Sequence, residues 1–155
     1  MSVAFRRESD EEHLEPKFEL PIPAGPNLVT AHGLALIGER LAVLEAAIAA
    51  ETDEAVRTDL QRKLRYWGTR QATAQLMPAP SGDVVAFGSR VRFRLGGAER
   101  AIDIVGDDEA DPAAGRIAFS APLARAMMGA QAGDFADFGG KPDAIEIVLV
   151  EAIPD

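Results

Sequence analysis

Two helical patterns joined by a few residues constrain the fold of this chain more than any other feature. The first pattern begins after Thr30 and runs to about Ala50, and the second runs from about Asp53 to Met77. Apolar residues spaced three and four apart give each pattern a narrow seam, which is typical of coiled-coil helices. The seam comprises Leu34, Ile37, Leu41, Leu44 and Ile48, then Val56, Leu60, Leu64 and Trp67. Because the connection is so short, the helices are predicted to pack antiparallel as a hairpin.

Composition changes on both sides of this hairpin. Residues 1–27 mix charged side chains with four prolines, which predicts an extended arm. Pro78 and Pro80 end the second helical pattern, because proline has no N–H for the helical hydrogen-bond ladder. The predicted organisation is an arm at 1–27, a hairpin at 28–77, a linker at 78–83 and a second domain at 84–155.

The second domain has the alternation of apolar and polar residues that indicates short strands. The predicted strands are 84–85, 90–95, 100–105, 116–119, 134–138 and 144–152. Residues 122–128 are predicted as a short helix with proline in its first turn. The predicted fold class is α+β, with an antiparallel helical hairpin followed by a small antiparallel β domain that carries one short helix.

Charge and cysteine content exclude several functional classes. The formal net charge of -9 repels nucleic-acid backbones over the molecule as a whole, which argues against free DNA as a partner. The chain has no cysteine, so disulfides and thiolate metal sites are excluded. His13 and His32 are isolated, so no metal site is expected. No apolar run is long enough for a signal peptide or a membrane span, and we expect a cytoplasmic monomer with no membrane partner.

Four short motifs occur in order along the chain. The sequence NLVT precedes Gly33, VAFGSRV occupies 85–91, IVGDDEAD occupies 104–111 and PLARA occupies 122–126. Together they resemble the motifs of the GreA/GreB transcription elongation factors, over about residues 27–152. The resemblance implies a C-terminal domain similar in fold to FKBP-type prolyl isomerases. It also implies a protein that binds RNA polymerase and regulates transcription elongation, and that is not itself an enzyme.

The resemblance also implies a role for the hairpin tip. In the family, an acidic tip enters the polymerase secondary channel and places carboxylates beside the catalytic Mg²⁺, where backtracked RNA is cut. Asp53 and Glu54 are the acidic candidates here, but the family's tip motif is absent and each arm is shorter by roughly nine residues, or about 13 Å. Their other interpretation is structural, with Thr52 as the cap of the second helix and the two carboxylates in its first turn offsetting the helix dipole. No cofactor is expected unless the tip reaches the polymerase Mg²⁺.

The segment before the short helix resembles the family's polymerase-docking loop. Ser120 and Pro122 are the docking candidates. Ser120 and Ala121 stand where the family has an acidic residue and a serine, so this loop has lost a charge. The alternative is a plain turn at the entry to the helix.

The basic residues of the second helix admit two interpretations. They are Arg57, Arg62, Lys63 and Arg65. One interpretation is contact with RNA, as in some members of the family. The favoured one is a solvated face that is ion-paired with Glu39, Glu45 and Glu51 of the facing helix.

Several functional hypotheses stay open. The first is stimulation of transcript cleavage by the tip carboxylates. The second is a short-hairpin regulator, similar to Rnk-type members, that occupies the channel without delivering carboxylates, and the missing tip motif favours it. A hypothesis of another class is a prolyl isomerase, although the second domain offers five phenylalanines and no tyrosine or tryptophan for its pocket. The last hypothesis is a regulator that contacts some other protein through the hairpin.

Overall fold

The computed structural model describes residues 19–154, so residues 1–18 of the predicted arm lie outside the described residues. The elements are β1 Leu28–Val29, α1 Ala31–Ala50, α2 Glu54–Thr73, β2 Gln75–Leu76, β3 Ser89–Leu95, β4 Ala98–Val105, β5 Arg116–Ala118, α3 Pro122–Met127, β6 Phe135–Phe138 and β7 Lys141–Ala152. The α+β class, with two helices followed by a small β domain, is confirmed. No helix within 19–154 is both long and apolar enough to cross a membrane.

The chain forms two compact units. The hairpin unit contains residues 37–73 and, of the described residues before them, 19–25. The sheet unit contains residues 26–36 and 74–154. The start of α1 therefore groups with the sheet unit, although the sequence assigned residues 28–77 to the hairpin.

The hairpin unit consists of two helical arms joined by residues 51–53. Helix α2 has 20 residues, which makes it about 30 Å long. The predicted seam is half-buried along most of its length, and Ile37 is fully buried. The guanidinium of Arg40 lies 5.2 Å from the centre of the Trp67 ring, which ties the two arms together. Val56 does not belong to the seam, because it is 44% exposed.

Helix α2 ends at Thr73, before the predicted end at Met77. Strand β2 follows instead and pairs in parallel with β1. The N–H of Gln75 donates to the Asn27 carbonyl at 2.8 Å, and the N–H of Met77 donates to the Val29 carbonyl at 3.0 Å. Extended backbone thus gains ladder partners, and Pro78 disfavours helical geometry at the residue before it.

The main sheet has five strands in the order β5-β4-β3-β7-β6. The prediction of a purely antiparallel sheet is wrong at one edge, where β5 runs parallel to β4. The physical reason is the connection, because residues 106–115 carry the chain back so that Arg116 lies opposite Asp103 and Ala118 lies opposite Val105.

The predicted strand at 84–85 is also absent from the described structure. The N–H of Val85 donates to the Ala130 carbonyl at 2.8 Å, and the Val85 carbonyl accepts from the N–H of Gly129 at 2.8 Å. This segment therefore bonds to the loop after α3 and not to a strand. The Val85 side chain is nevertheless buried.

One face of the sheet carries the core. Its fully buried members include Val91, Phe93, Ile104, Ile145 and Ile147, together with Ala124 and Met127 of α3. Alternation along each strand places the intervening residues on the opposite face. On β3 these are arginines, at 90, 92 and 94.

Candidate functional site

The acidic residues at the tip of the hairpin lie at the beginning of helix α2, and Asp53 caps it. The Oδ1 atom of Asp53 accepts hydrogen bonds from the N–H groups of Ala55 at 2.9 Å and Val56 at 3.3 Å. Helix α2 begins at Glu54, which puts Asp53 at the capping position and Glu54 in the first turn. The prediction that Thr52 is the cap is wrong, because Thr52 stands one residue too early.

A second carboxylate, from Glu51, accepts a backbone hydrogen bond in the loop before the cap. The Oε1 atom of Glu51 accepts a hydrogen bond from the N–H of Asp53 at 3.0 Å. Carboxylates at this end of a helix satisfy backbone donors and offset the helix dipole. Within residues 19–154, no group of three or more histidine, aspartate or glutamate residues is arranged to hold a metal ion.

Three of the four basic residues predicted to pair on α2 form ion pairs, although with other partners than those expected. Arg62 and Lys63 pair with Asp59 on the same helix, at 2.8 and 3.3 Å. Arg65 pairs with Glu19 at 2.7 Å. The hydrogen bond from Arg65 lowers the pKa of the Glu19 carboxyl below its ordinary value. Among these pairs, the carboxylates come from Asp59 and Glu19, not from the facing helix.

A buried carboxylate marks the beginning of helix α1 in the sheet unit. Thr30 caps this helix as predicted, because its Oγ1 accepts from the N–H of Gly33 at 2.9 Å. The same hydroxyl donates to Oε1 of Glu109 at 2.6 Å, and Nδ1 of His32 lies 2.9 Å from Oε2. The Glu109 side chain is 7% exposed. Glu109, which the sequence places in a turn between strands, therefore holds the first residues of helix α1 in position.

Two glycines explain why the motifs at 27–33 and 104–111 occur together. A Cβ atom on Gly33 would lie 2.8 Å from Oε1 of Glu109. A Cβ atom on Gly106 would collide with the carbonyl oxygen of Leu28. The two motifs thus form a single close-packed contact, and each glycine provides the space for it.

The predicted docking loop lies at the end of β5. Ser120 and Pro122 are both exposed, and Pro122 is the first residue of α3. The Ser120 hydroxyl donates a hydrogen bond to Oδ1 of Asp107 at 2.9 Å. An acidic group therefore stands beside the loop, although it comes from another turn of the chain.

Sequence reasoning did not associate Asp107 with this loop. The signal lies in the sheet register, since β4 and β5 are parallel and Val105 pairs with Ala118. Residues two positions beyond each member of that pair are Asp107 and Ser120. Once the two strands are known to be parallel neighbours, the contact follows from counting.

A cavity of about 320 Å³ lies in the sheet unit beside the start of α1. Its charged lining residues are engaged with one another or with near neighbours. Arg90 binds Asp103 through two hydrogen bonds of 2.7 and 3.1 Å, which raise the pKa of Arg90 above its ordinary value. Glu109 binds Thr30 and His32, and Arg116 pairs with Asp111 at 3.5 Å.

The phenylalanines of the sheet unit do not gather around this cavity. Phe87 lines it and meets Phe119 edge to face, with ring centres 5.5 Å apart. Phe93 is fully buried in the core, Phe138 packs against that core and Phe135 is 57% exposed. The lining of this cavity therefore contains one aromatic residue, Phe87.

Comparison with known proteins identifies the second half of the chain. Residues 79–152 match the family described as "Transcription elongation factor, GreA/GreB, C-term". Transcription elongation factor GreA of Rhizobium etli is 42% identical over 74 residues, which are 45% of this chain and 47% of that protein. The GreA of Nitratidesulfovibrio vulgaris is 37% identical over 79 residues, or 48% of each chain. The match thus spans about half the length of these curated relatives.

Two solved structures align over more of the chain at low similarity. The crystal structure of the GreA factor homolog 1 (Gfh1) protein of Thermus thermophilus covers 83% of this chain at 15% identity, with a TM-score of 0.38. A prokaryotic transcription elongation factor GreA/GreB from Nitrosomonas europaea covers 83% at 21% identity, with a TM-score of 0.39.

Proposed function

Since the chain belongs to the GreA/GreB family through the domain at residues 79–152, we propose that it binds RNA polymerase and regulates transcription elongation. The docking site is the loop at Ser120 and Pro122, completed by Asp107. The observation that carries this proposal is the 2.9 Å hydrogen bond from Ser120 to Asp107, which supplies the acidic group that the loop itself lacks.

The docking loop is suited to a protein partner. Ser120 and Pro122 are exposed, and the fixed backbone of Pro122 holds the loop where α3 begins. The hydrogen bond from Ser120 orients the Asp107 carboxylate, and such charge-assisted bonds are shorter and stronger than neutral ones. An oriented carboxylate is a group with which a cationic side chain of the partner can pair.

We further propose that the protein acts without stimulating transcript cleavage. Asp53 is occupied as the cap of α2, and Glu54 lies in the first turn of that helix, where a carboxylate offsets the helix dipole. The family's tip motif is absent from the chain. A hairpin that occupies the channel without delivering carboxylates would restrain elongation or compete with cleavage factors, as the short-hairpin hypothesis states.

Transcript cleavage by stalled, backtracked RNA polymerase tests the role of the tip. We expect the full chain to leave cleavage at the polymerase's own rate. The informative variant is the Asp53→Asn, Glu54→Gln double substitution, because asparagine caps a helix about as well as aspartate and only the charges are lost. Cleavage that the chain accelerates and the double variant does not would overturn the non-cleaving mechanism.

Equilibrium binding to core RNA polymerase tests the docking site. Asp107→Asn is expected to weaken binding, and Asp83→Asn serves as a control because it removes the same charge from an exposed residue outside the docking loop. Equal affinity of the two variants would remove Asp107 from the docking site. Failure of the unmodified chain to bind polymerase would overturn the proposed function itself.

The prolyl isomerase hypothesis receives no support from the arrangement of aromatic side chains. A single phenylalanine, Phe87, lines the described cavity. We expect no turnover of a proline-containing peptide, and measurable turnover would reopen that hypothesis.

A further inference from the structure

The outer face of the main sheet carries a row of three arginines on its central strand. Arg90, Arg92 and Arg94 alternate along β3 with Val91 and Phe93, which are both 0% exposed. Successive residues of a strand point to opposite faces, so the three guanidinium groups lie on the face away from the core.

The outer two arginines are neutralised by neighbouring strands. Arg90 binds Asp103 at 2.7 Å, and it lies opposite Glu151 on the other side. Arg94 pairs with Glu146 at 3.3 Å and with Glu99 at 3.6 Å. Each therefore stands between two carboxylates, one from β4 and one from β7.

The central arginine has a different environment. Arg92 lies opposite Ala101 on β4 and opposite Leu149 on β7. It is exposed, and no carboxylate of the described residues forms an ion pair with it. The face thus carries four carboxylates and three arginines, and Arg92 is the arginine that has no ion pair with a described residue.

Exposed apolar side chains lie on this face between Arg92 and the edge of the sheet formed by β6. Leu149 is 41% exposed, and Phe135 on β6 is 57% exposed. Phe135 lies opposite Glu146, which pairs with Arg94. Leu149 lies opposite Arg92, so both apolar side chains are on the face of the arginines. An exposed arginine among aliphatic and aromatic side chains has the composition of protein interfaces, in which arginine and aromatic residues are enriched.

The surrounding charges select the kind of partner. Glu99, Asp103, Glu146 and Glu151 encircle Arg92 on the neighbouring strands. A phosphate backbone brings many negative charges, and the net charge of -9 would repel it. A single carboxylate set in an apolar surface can reach Arg92 as a bidentate pair and leave its neighbours in contact with Leu149 and Phe135.

We infer that the outer face of the sheet, centred on Arg92, Leu149 and Phe135, is a second contact surface for RNA polymerase, where it takes a segment with one carboxylate between apolar side chains. This inference rests on the proposed function, because the partner is the same. It is separate from the docking loop, because it uses none of the residues at 107 and 120–122.

The test is binding of the full chain to core RNA polymerase, with four proteins compared. Arg92→Ala is expected to weaken binding by about tenfold, a typical loss for an arginine anchor of an interface. Arg92→Lys should recover only part of that affinity, because an ammonium group cannot form the bidentate pair. Arg100→Ala is the matched control, since Arg100 is also exposed but lies opposite Phe93, a residue of the core face.

The outcomes separate this inference from the proposed function. Tight binding by Arg92→Ala would overturn the sheet-face contact and leave the proposed function standing. Equal losses in Arg92→Ala and Arg100→Ala would indicate a net-charge effect and would also overturn it. No binding by the unmodified chain would overturn both.

A second measurement uses labelled RNA. RNA binding that disappears in Arg92→Ala would assign the face to phosphate and contradict the inference. An unchanged urea midpoint for Arg92→Ala is the expected folding control.

Discussion

The two units of this molecule use their residues in different ways. The sheet unit buries its core completely, with Val91, Phe93 and Ile104 all at 0% exposure. The hairpin unit has a seam that is mostly half-buried, and its apolar side chains sit among ion pairs such as Arg62 with Asp59. The family match covers residues 79–152, which lie within the sheet unit.

This difference indicates which part of the chain tolerates change. A close-packed core loses free energy with each removed methylene, whereas a half-exposed seam can accept substitutions and changes of length at lower cost. The shorter arms and altered tip that the sequence predicts would be changes of the kind that a hairpin tolerates. The predicted docking loop, in contrast, lies in the sheet unit.

The largest expected effect is on the core of the sheet unit. Phe93→Ala should lower the free energy of unfolding by about 3–5 kcal/mol, because it leaves a cavity in a fully buried site. Leu44→Ala, in the half-buried seam, should cost about 1–2 kcal/mol. Urea unfolding followed by circular dichroism measures both, and equal losses would contradict the contrast between the units.

A second pair of variants tests the close contact between the two motifs. Gly106→Ala should destabilise the protein by about 1–3 kcal/mol, because the new methyl group meets the backbone of Leu28. Gly68→Ala, in the middle of α2 with nothing near the new methyl group, should stabilise it by about 1 kcal/mol. Thermal unfolding distinguishes the two, and a tolerated Gly106→Ala would show that the motifs are not in contact.

The cap of helix α2 gives a smaller effect. Asp53→Ala should cost about 1 kcal/mol, because the N–H groups of Ala55 and Val56 lose their acceptor. Asp53→Asn should cost little, and Thr52→Ala should be close to neutral. Since Trp67 lies on the same helix, its fluorescence during urea unfolding is a suitable measurement. A larger loss for Thr52→Ala than for Asp53→Ala would contradict the assignment of the cap.

The smallest expected effect is the pH dependence of the Glu19 and Arg65 pair. The pKa of Glu19 is lower in the folded protein than in the unfolded chain, because Arg65 donates to its carboxylate. Its stabilising effect is therefore fully present above the unfolded pKa and is lost as pH falls through the folded pKa. Glu19→Gln should lower the melting temperature slightly at pH 7 and leave it unchanged in strong acid. A difference that persists in acid would rule out this pair as its cause.

Much of the fold follows from the sequence, because the patterns that specify it are local. The spacing of the apolar residues predicts both helices, and Thr30 marks the start of the first. The alternation of Arg90 to Leu95 predicts the central strand of the sheet. The α+β class and the family resemblance are confirmed for the same reason.

The remaining features depend on contacts between distant residues. The early end of α2 at Thr73 results from pairing with residues 28–29, which no local pattern reveals. The parallel edge between β4 and β5 requires the path of residues 106–115 to be known. The burial of Glu109 and the contact of Asp107 with Ser120 follow from that path, so sequence reasoning could place neither. The roles of Asp53, Glu54, Ser120 and Pro122 toward polymerase stay predictions.

The most direct test of the account is competition during transcript cleavage. An active Gre factor is added to backtracked RNA polymerase at a fixed concentration, and this chain is then titrated into the reaction. We expect cleavage to fall progressively to the polymerase's own rate, because the proposed function has the chain docked on the enzyme with a capped tip that delivers no carboxylate. Cleavage that is unchanged at saturating concentrations, or that rises, would contradict it.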